Sequence, residues 1–169
     1  RVLYALLREC VDLVDQGVAW FEQCGSPVTE VELAVGWPDS RATHRLGARI
    51  EILRGRPEGP LPAGSLLSLQ LRLSNTGDTR WLPDPAVGAG VVRLGVQVRA
   101  SDGTLLERDY FRAPLPRALD PGESLEMPVS VPVPAEPRRA LLALDLVAEQ
   151  VCWFEHHGSA PVLIAVETA

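Results

Sequence analysis

The sequence has no lysine, and its 16 basic residues are all arginines spread along 169 positions. The net charge is −6, and no basic stripe or run is present. Nucleic-acid phosphates are held by clustered cations, so this charge pattern predicts no nucleic-acid partner. No apolar run approaches the ~20 residues that cross a bilayer, so we also expect no membrane span.

Cysteine is scarce, with only Cys10, Cys24 and Cys152. An odd number of cysteines without a CxxC pair argues against a disulfide framework and against a zinc site. We therefore expect no metal and no cofactor. The chain opens on Arg1 without an apolar signal segment, as an excised piece of a longer protein would. The missing signal segment and disulfide pattern favour a cytoplasmic location.

Hydrophobic residues make up 46% of the chain, which is enough for a packed core. The most informative pattern is an internal repeat, in which Cys10–Ser26 aligns without a gap with Ala143–Ser159 at an offset of 133 residues. Nine of the 17 aligned positions are identical, whereas ordinary composition predicts about one. The identical pairs are Asp12/Asp145, Leu13/Leu146, Val14/Val147, Val18/Val151, Trp20/Trp153, Phe21/Phe154, Glu22/Glu155, Gly25/Gly158 and Ser26/Ser159.

A period of 133 residues fits tandem domains of ordinary size and is too long for a solenoid. We predict that residues 1–35 are the C-terminal strands of a truncated first repeat. Residues 36–46, polar with Gly and Pro, are predicted to be a linker, and residues 47–169 a complete domain. Because residues 1–35 lack the rest of their domain, we expect their apolar side to pack on the second domain or on another chain.

The repeat also decides between two structures for the N-terminal segment. Residues 2–21 place apolar side chains near one face of an amphipathic helix. Their counterpart, residues 140–154, ends a segment otherwise made of strands, and Leu142, Leu144 and Leu146 alternate there with other residues. We therefore predict β-strands in both copies.

Alternating apolar and polar residues mark strands throughout the second copy, most clearly at Leu67–Leu73. Turn residues separate the strands, as at Ser101–Thr104, where Asp-Gly suits a tight hairpin. Short strands at regular spacing predict an all-β protein, an immunoglobulin-like antiparallel β-sandwich of about seven or eight strands. The predicted strands are Ala48–Leu53, Leu67–Leu73, Val92–Val98, Leu105–Arg112, Leu125–Val131, Leu141–Phe154 and Val162–Glu167.

Four segments carry a resemblance to a known family: Leu71–Trp81 (LRLSNTGDTRW), Leu94–Val98 (LGVQV), Leu119–Glu123 (LDPGE) and the repeated element Asp145–Ser159. They resemble the Ig-like accessory sandwiches attached to bacterial cell-surface polysaccharide glycosyltransferases and methyltransferases. They are similar, more loosely, to the sugar-recognising C-terminal sandwich of O-antigen ABC transporters. The resemblance implies a non-catalytic module beside a catalytic or transport partner, and it supplies no catalytic residues.

We select Trp81, Asp109, Arg112 and Trp153 as candidate ligand-binding residues. An exposed tryptophan ring is a platform for a sugar, whereas a buried one packs the core. Asp109 and Arg112 flank a Pro-rich loop, and arginine suits bidentate contacts to an anionic or hydroxyl-rich ligand. The alternative for this pair is a local ion pair that contributes little stability.

The run Glu155-His156-His157 contains metal-ligating residue types. Consecutive residues on an extended chain point apart, and no further ligand stands at metal spacing, so we predict a solvated turn there and no metal. Ser159 follows Gly158 without the GxSxG pattern of a serine nucleophile. We therefore expect a protein that is not an enzyme.

The leading functional hypothesis is an accessory module that binds carbohydrate or docks onto a neighbouring catalytic domain in surface-polysaccharide biosynthesis. Its expected partners are the neighbouring domains of the parent polypeptide and a glycan. The alternative is a structural Ig-like spacer or protein-interaction domain. The spacer hypothesis requires that Trp81 and Trp153 are buried and that no groove exists.

Overall fold

The computed structural model describes residues 5–35, 38–42 and 45–169. The chain divides into two compact units, Arg1–Gly36 and Trp37–Ala169. The predicted linker 36–46 lies partly outside the described residues. Within its described part, Ser40 and Leu46 are fully buried in the second unit. The Ser40 hydroxyl donates a 2.6 Å hydrogen bond to the carbonyl of Gly90, so this stretch is tied to the second unit by buried contacts.

In the first unit, the described residues 5–35 form strands, as predicted, and not an amphipathic helix. Strands β1 (Ala5–Val11) and β4 (Thr29–Val35) pair antiparallel. Between them, β2 (Val14–Asp15) and β3 (Ala19–Trp20) form a short hairpin that leads into a 3₁₀ turn at Phe21–Cys24. The match of this unit to a truncated tandem domain stays a prediction.

The described part of the second unit contains eight further strands, and all pairings between these strands are antiparallel. The all-β class is therefore confirmed. No helix among the described residues is long and apolar enough to cross a membrane. The strands are β5 (Ala48–Arg54), β6 (Leu66–Asn75), β7 (Val92–Arg99), β8 (Leu105–Pro114), β9 (Ser124–Pro132), β10 (Arg139–Ala148), β11 (Cys152–Trp153) and β12 (Val162–Glu167).

These strands form two sheets. One sheet has the order β5-β6-β9. The other has the order β8-β7-β10, and both β11 and β12 pair with the side of β10 that faces away from β7. The connections from β5 to β6 and from β7 to β8 stay within a sheet, whereas those after β6, β8 and β9 cross to the opposite sheet. Crossing connections bring the two apolar faces together because each sheet has one face to bury.

The core lies between the two sheets. Every second residue of β6 and β9 is buried, including Leu69, Leu71 and Val129, because successive side chains of a strand point to opposite faces. Leu144 and Leu146 of β10 belong to the same buried cluster. The two antiparallel sheets thus form the β-sandwich that the alternation predicts.

The same local structure recurs in the repeated segments of the two units. The Asp12 carboxylate accepts the backbone N–H of Glu22 at 3.0 Å, and the Asp145 carboxylate accepts that of Glu155 at 2.9 Å. Each 3₁₀ turn then ends on a glycine with positive φ, 87° in one copy and 88° in the other. Identical residues therefore make the same turn by local hydrogen bonding.

The two copies differ in what covers their apolar side chains. Leu13 is 68% exposed whereas its counterpart Leu146 is fully buried, and Phe21 is 40% exposed whereas Phe154 is fully buried. In the second unit these side chains meet the strands that precede β10. The described part of the first unit has no counterpart of those strands, so its local turn is formed without a core around it.

This contrast predicts different costs for the same substitution. We expect Leu146→Ala to lower the free energy of unfolding of the second unit by about 2–5 kcal/mol, because it leaves a cavity in the core. Leu13→Ala is the matched control and should change stability by less than about 0.5 kcal/mol. Urea unfolding followed by far-UV circular dichroism measures both, and equal effects at the two positions would contradict the burial difference.

Candidate functional site

Trp81 lies inside the sandwich and has no exposed surface. Its backbone exchanges two hydrogen bonds with Leu119, and its ring meets the edge of Phe154 at a centroid distance of 5.5 Å. The indole Nε1 has no hydrogen-bond partner among the described residues. Trp81 thus packs the core in this structure and presents no ring face to a ligand.

Trp153 lies on the opposite, outer face of the larger sheet. Adjacent strand residues point to opposite faces, so Phe154 enters the core while the edge of the Trp153 ring reaches Gly95 of β7. The Arg112 guanidinium covers the ring from above, 4.3 Å from its centroid. This cation–π contact leaves Trp153 only 7% exposed.

Gly95 is required for this packing because a methyl group at that position would lie 2.6 Å from Cζ3 and 2.7 Å from Cη2 of Trp153. A contact that short forces the ring to move. Arg112 Nη1 would lie 3.1 Å from the same methyl group, so Gly95 leaves room for both the edge of the Trp153 ring and the guanidinium that stacks on a face of that ring.

Carboxylates hold Arg112 in place. Its Nε donates to Glu149 Oε1 at 3.3 Å, and Nη2 donates to Asp109 Oδ1. The same Glu149 oxygen lies 3.7 Å from Nε of Arg93. The structure therefore brings Asp109, Arg112 and Trp153 together on one face, whereas Trp81 lies in the core.

A polar groove of about 340 Å³ opens beside this cluster. The turn between β10 and β11 forms one side of the groove, and the loop before β7 forms the other. Two backbone hydrogen bonds join these segments, from Gly90 N–H to the Glu149 carbonyl at 2.8 Å and from Glu149 N–H to the Val91 carbonyl at 2.9 Å. The groove is lined by Pro85, Gly88, Val91, Arg93, Arg112, Glu149 and Gln150.

Gln150 is one of the lining residues that sequence reasoning missed. Its φ is 63°, the only positive φ of a non-glycine residue in the described chain. For a residue with a side chain, this left-handed backbone conformation costs roughly 1–2 kcal/mol of conformational energy. The aligned residue of the first unit is Gly17, with φ 84°, which adopts the same region without that cost. The replacement of a glycine by Gln in the alignment is the signal that could have found it.

A second groove, of about 520 Å³, opens between the edge strands β8 and β9. Its walls are mostly apolar, with Phe111, Leu115, Met127 and Val129 among the lining residues. Ligand sites combine apolar walls with a few convergent polar groups. The groove at Gln150 has such groups, so it is the better candidate site for a hydroxyl-rich ligand.

Glu155 is bound by neighbouring side chains on the outer face. Gln97 donates to it at 2.8 Å and Arg99 at 2.5 Å. Burial opposes ionisation of Glu155, but these hydrogen bonds outweigh it and hold its pKa below the usual value. Among the residues that the structure describes, no group of three or more His, Cys, Asp or Glu side chains could hold a metal ion. Of the three residues predicted to form a solvated turn, His156 and His157 are exposed, whereas Glu155 is half-buried and ion-paired with Arg99.

No family model matches this chain, and no curated protein matches it either.

We expect Gly95→Ala to displace Trp153 and Arg112, because the added methyl group would overlap the indole ring. Overpacking of this kind costs about 1–3 kcal/mol in the free energy of unfolding. Gly59→Ala is the control, since no atom lies within 4 Å of a methyl group at Gly59. Chemical unfolding gives the stabilities, and tryptophan emission reports ring exposure. An unchanged spectrum and stability in Gly95→Ala would contradict the stacked geometry.

Asp145 makes stability depend on pH. Burial raises the pKa of this carboxyl from 3.8 to about 6. The folded state therefore binds the proton more tightly than the unfolded state, so the stability that this group contributes is present below about pH 4 and is lost as the pH rises through about 6. We expect Asp145→Asn to gain stability relative to the native chain over this interval, by up to about 3 kcal/mol.

Asp102→Asn is the control with the opposite sign, because the Thr104 N–H lowers the pKa of the Asp102 carboxyl. That variant should lose stability relative to the native chain as the pH rises. Urea unfolding at several pH values between about 2 and 7 measures both differences, since that of Asp102→Asn changes below about pH 4 and that of Asp145→Asn above it. A difference for Asp145→Asn that does not change with pH would contradict the assignment of the buried carboxyl.

Proposed function

We propose that this protein is a non-catalytic accessory module that binds carbohydrate in the groove beside Gln150. The observation that carries the proposal is the strained backbone of Gln150 at a polar groove. Backbone strain of this kind persists only where the surrounding structure holds it, and it is concentrated at ligand and functional sites. A glycine at this position, as in the first unit, would remove the strain but also the amide side chain.

The chemistry of the groove suits hydroxyl groups. The Gln150 amide donates and accepts hydrogen bonds, Arg93 donates, and Glu149 accepts. The exposed Pro85 adds apolar surface for the C–H face of a sugar ring. A volume of about 340 Å³ is at the lower end of ligand sites, which fits a short saccharide segment. Because Arg112 covers Trp153, recognition would rest on polar contacts at the rim and not on ring stacking.

The groove supports binding better than catalysis. Catalysis by proton transfer needs a titratable group that is placed to exchange a proton with substrate. Glu149, the carboxylate of the groove, is held by the guanidinium of Arg112 and lies beside that of Arg93. No serine, cysteine or histidine is among the residues that line this groove.

The setting proposed for the module is surface-polysaccharide biosynthesis in bacteria, beside a catalytic or transport domain of the same polypeptide. The two-sheet sandwich supports it together with the resemblance of Leu71–Trp81 and Asp145–Ser159 to Ig-like accessory domains. Neighbouring domains of the polypeptide are the proposed protein partners.

A structural Ig-like spacer is the second candidate. It is favoured by the burial of Trp81 and Trp153, which removes both rings from contact with a ligand. The groove beside Gln150 favours the binding module instead. The binding module needs the Gln150 side chain, whereas the spacer does not.

Two substitutions of Gln150 separate these functions. Gln150→Gly removes both the side chain and the backbone strain, so we expect it to raise the free energy of unfolding by about 1 kcal/mol and to weaken binding of oligosaccharides. Gln150→Ala removes the side chain but keeps the strain, so it should weaken binding without that gain in stability. A glycan array selects the oligosaccharide, and calorimetric titration gives its affinity.

The control is Gln70→Ala, a half-buried glutamine on β6 in the other sheet, which should leave binding unchanged. If no oligosaccharide binds the native chain, or if Gln150→Gly binds as well as the native chain, carbohydrate binding at this groove is wrong and the spacer function is favoured.

A further inference from the structure

The two arginines that line the groove differ in how many hydrogen bonds their guanidinium groups make. The guanidinium of Arg112 donates to Asp109, to Glu149 and to the carbonyl of Phe111, so all three of its nitrogens have partners. The Arg93 Nε lies 3.7 Å from the already engaged Glu149, and the Arg93 side chain donates no hydrogen bond to a described residue. Its two terminal nitrogens therefore form an open fork at the wall of the groove.

We propose that the groove selects a saccharide that bears a carboxylate, such as a uronic acid, and that Arg93 is the residue that binds this carboxylate. The inference rests on the proposed carbohydrate function and names its ligand class. A guanidinium fork matches the two oxygens of a carboxylate in one plane, and such charge-assisted pairs are about twice as strong as neutral hydrogen bonds.

The neighbouring charges favour a singly charged anion. The two guanidiniums of Arg93 and Arg112 are balanced by the carboxylates of Asp109 and Glu149, so the four charges sum to zero. A bound carboxylate would add one negative charge to this neutral cluster. A phosphate monoester carries close to two charges at neutral pH and would leave part of its charge against Glu149.

The position of Arg93 keeps this fork available. It follows Val92 at the start of β7, where it pairs across the sheet with Pro114 of β8 and Val147 of β10. Its side chain is 30% exposed, and Gln150 lines the same groove. A bound uronate could therefore place its carboxylate on Arg93 and its hydroxyl groups on the Gln150 amide.

The experiment compares three probes on the full chain: trigalacturonic acid, its carboxyl-reduced trigalactose form, and galactose 1-phosphate. Calorimetric titration at low ionic strength should show the acidic trisaccharide binding about tenfold more tightly than the reduced form. A tenfold difference is what about one charge-assisted hydrogen bond contributes. Added salt should reduce this ratio, because ions screen exposed charges.

Variants test the role of Arg93. Arg93→Gln should abolish the preference for the acidic form, and Arg93→Lys should keep only part of it, because an ammonium lacks the planar fork. Arg139→Gln removes an exposed arginine that pairs with Glu167 on β12, so it should leave the preference unchanged. Thermal unfolding of each variant shows whether the fold is retained.

The outcomes separate this inference from the proposed function. Equal binding of the acidic and reduced trisaccharides, or a preference that survives in Arg93→Gln, overturns the selection of acidic sugars and leaves carbohydrate binding in place. Tighter binding of galactose 1-phosphate than of the acidic trisaccharide overturns the choice of a carboxylate. If neither trisaccharide binds, the inference and the carbohydrate function are both wrong.

Discussion

The hydrogen bond from the Glu155 backbone to the buried Asp145 carboxylate holds together the part of the molecule on which the candidate site depends. It ties the 3₁₀ turn after β11 to β10 at 2.9 Å. With that turn in place, Phe154 enters the core and Trp153 lies on the outer face over Gly95. Burial of a carboxylate is unfavourable, but the backbone N–H groups that it accepts offset part of the cost. The aligned hydrogen bond of Asp12 shows that the turn itself is a local structure.

The candidate site is built on this arrangement in layers. Gly95 allows the Trp153 ring to lie close to the sheet, the ring supports the Arg112 guanidinium, and Arg112 holds Glu149 at the start of the next turn. Two backbone hydrogen bonds then fix that turn against the loop before β7. Gln150 can keep its positive φ because these two hydrogen bonds hold the backbone of the preceding residue, Glu149.

Much of the fold was predictable from local pattern. Alternation in Leu67–Leu73 indicates a half-buried strand, and the repeat indicates strands where residues 2–21 alone fit a helix equally well. The candidate site was predicted only in part. Asp109, Arg112 and Trp153 meet in space, but β7 lies between β8 and β10 and brings them together, which no spacing along the chain shows. Arg93 and Gln150 were missed because each is an ordinary polar residue until its neighbours across the sheet are known.

By itself, the sequence determined the strand periodicity, the turns and the motif that the two units share, because these depend on neighbours a few residues apart. Only the tertiary structure decided which of the repeated side chains are buried. Leu13 and Leu146 have the same local surroundings, yet one is exposed and the other is in the core. Burial is a property of the strands packed against a residue, and those strands lie far away in the chain. For the same reason, the tertiary structure alone placed Trp81 in the core and covered Trp153 with Arg112.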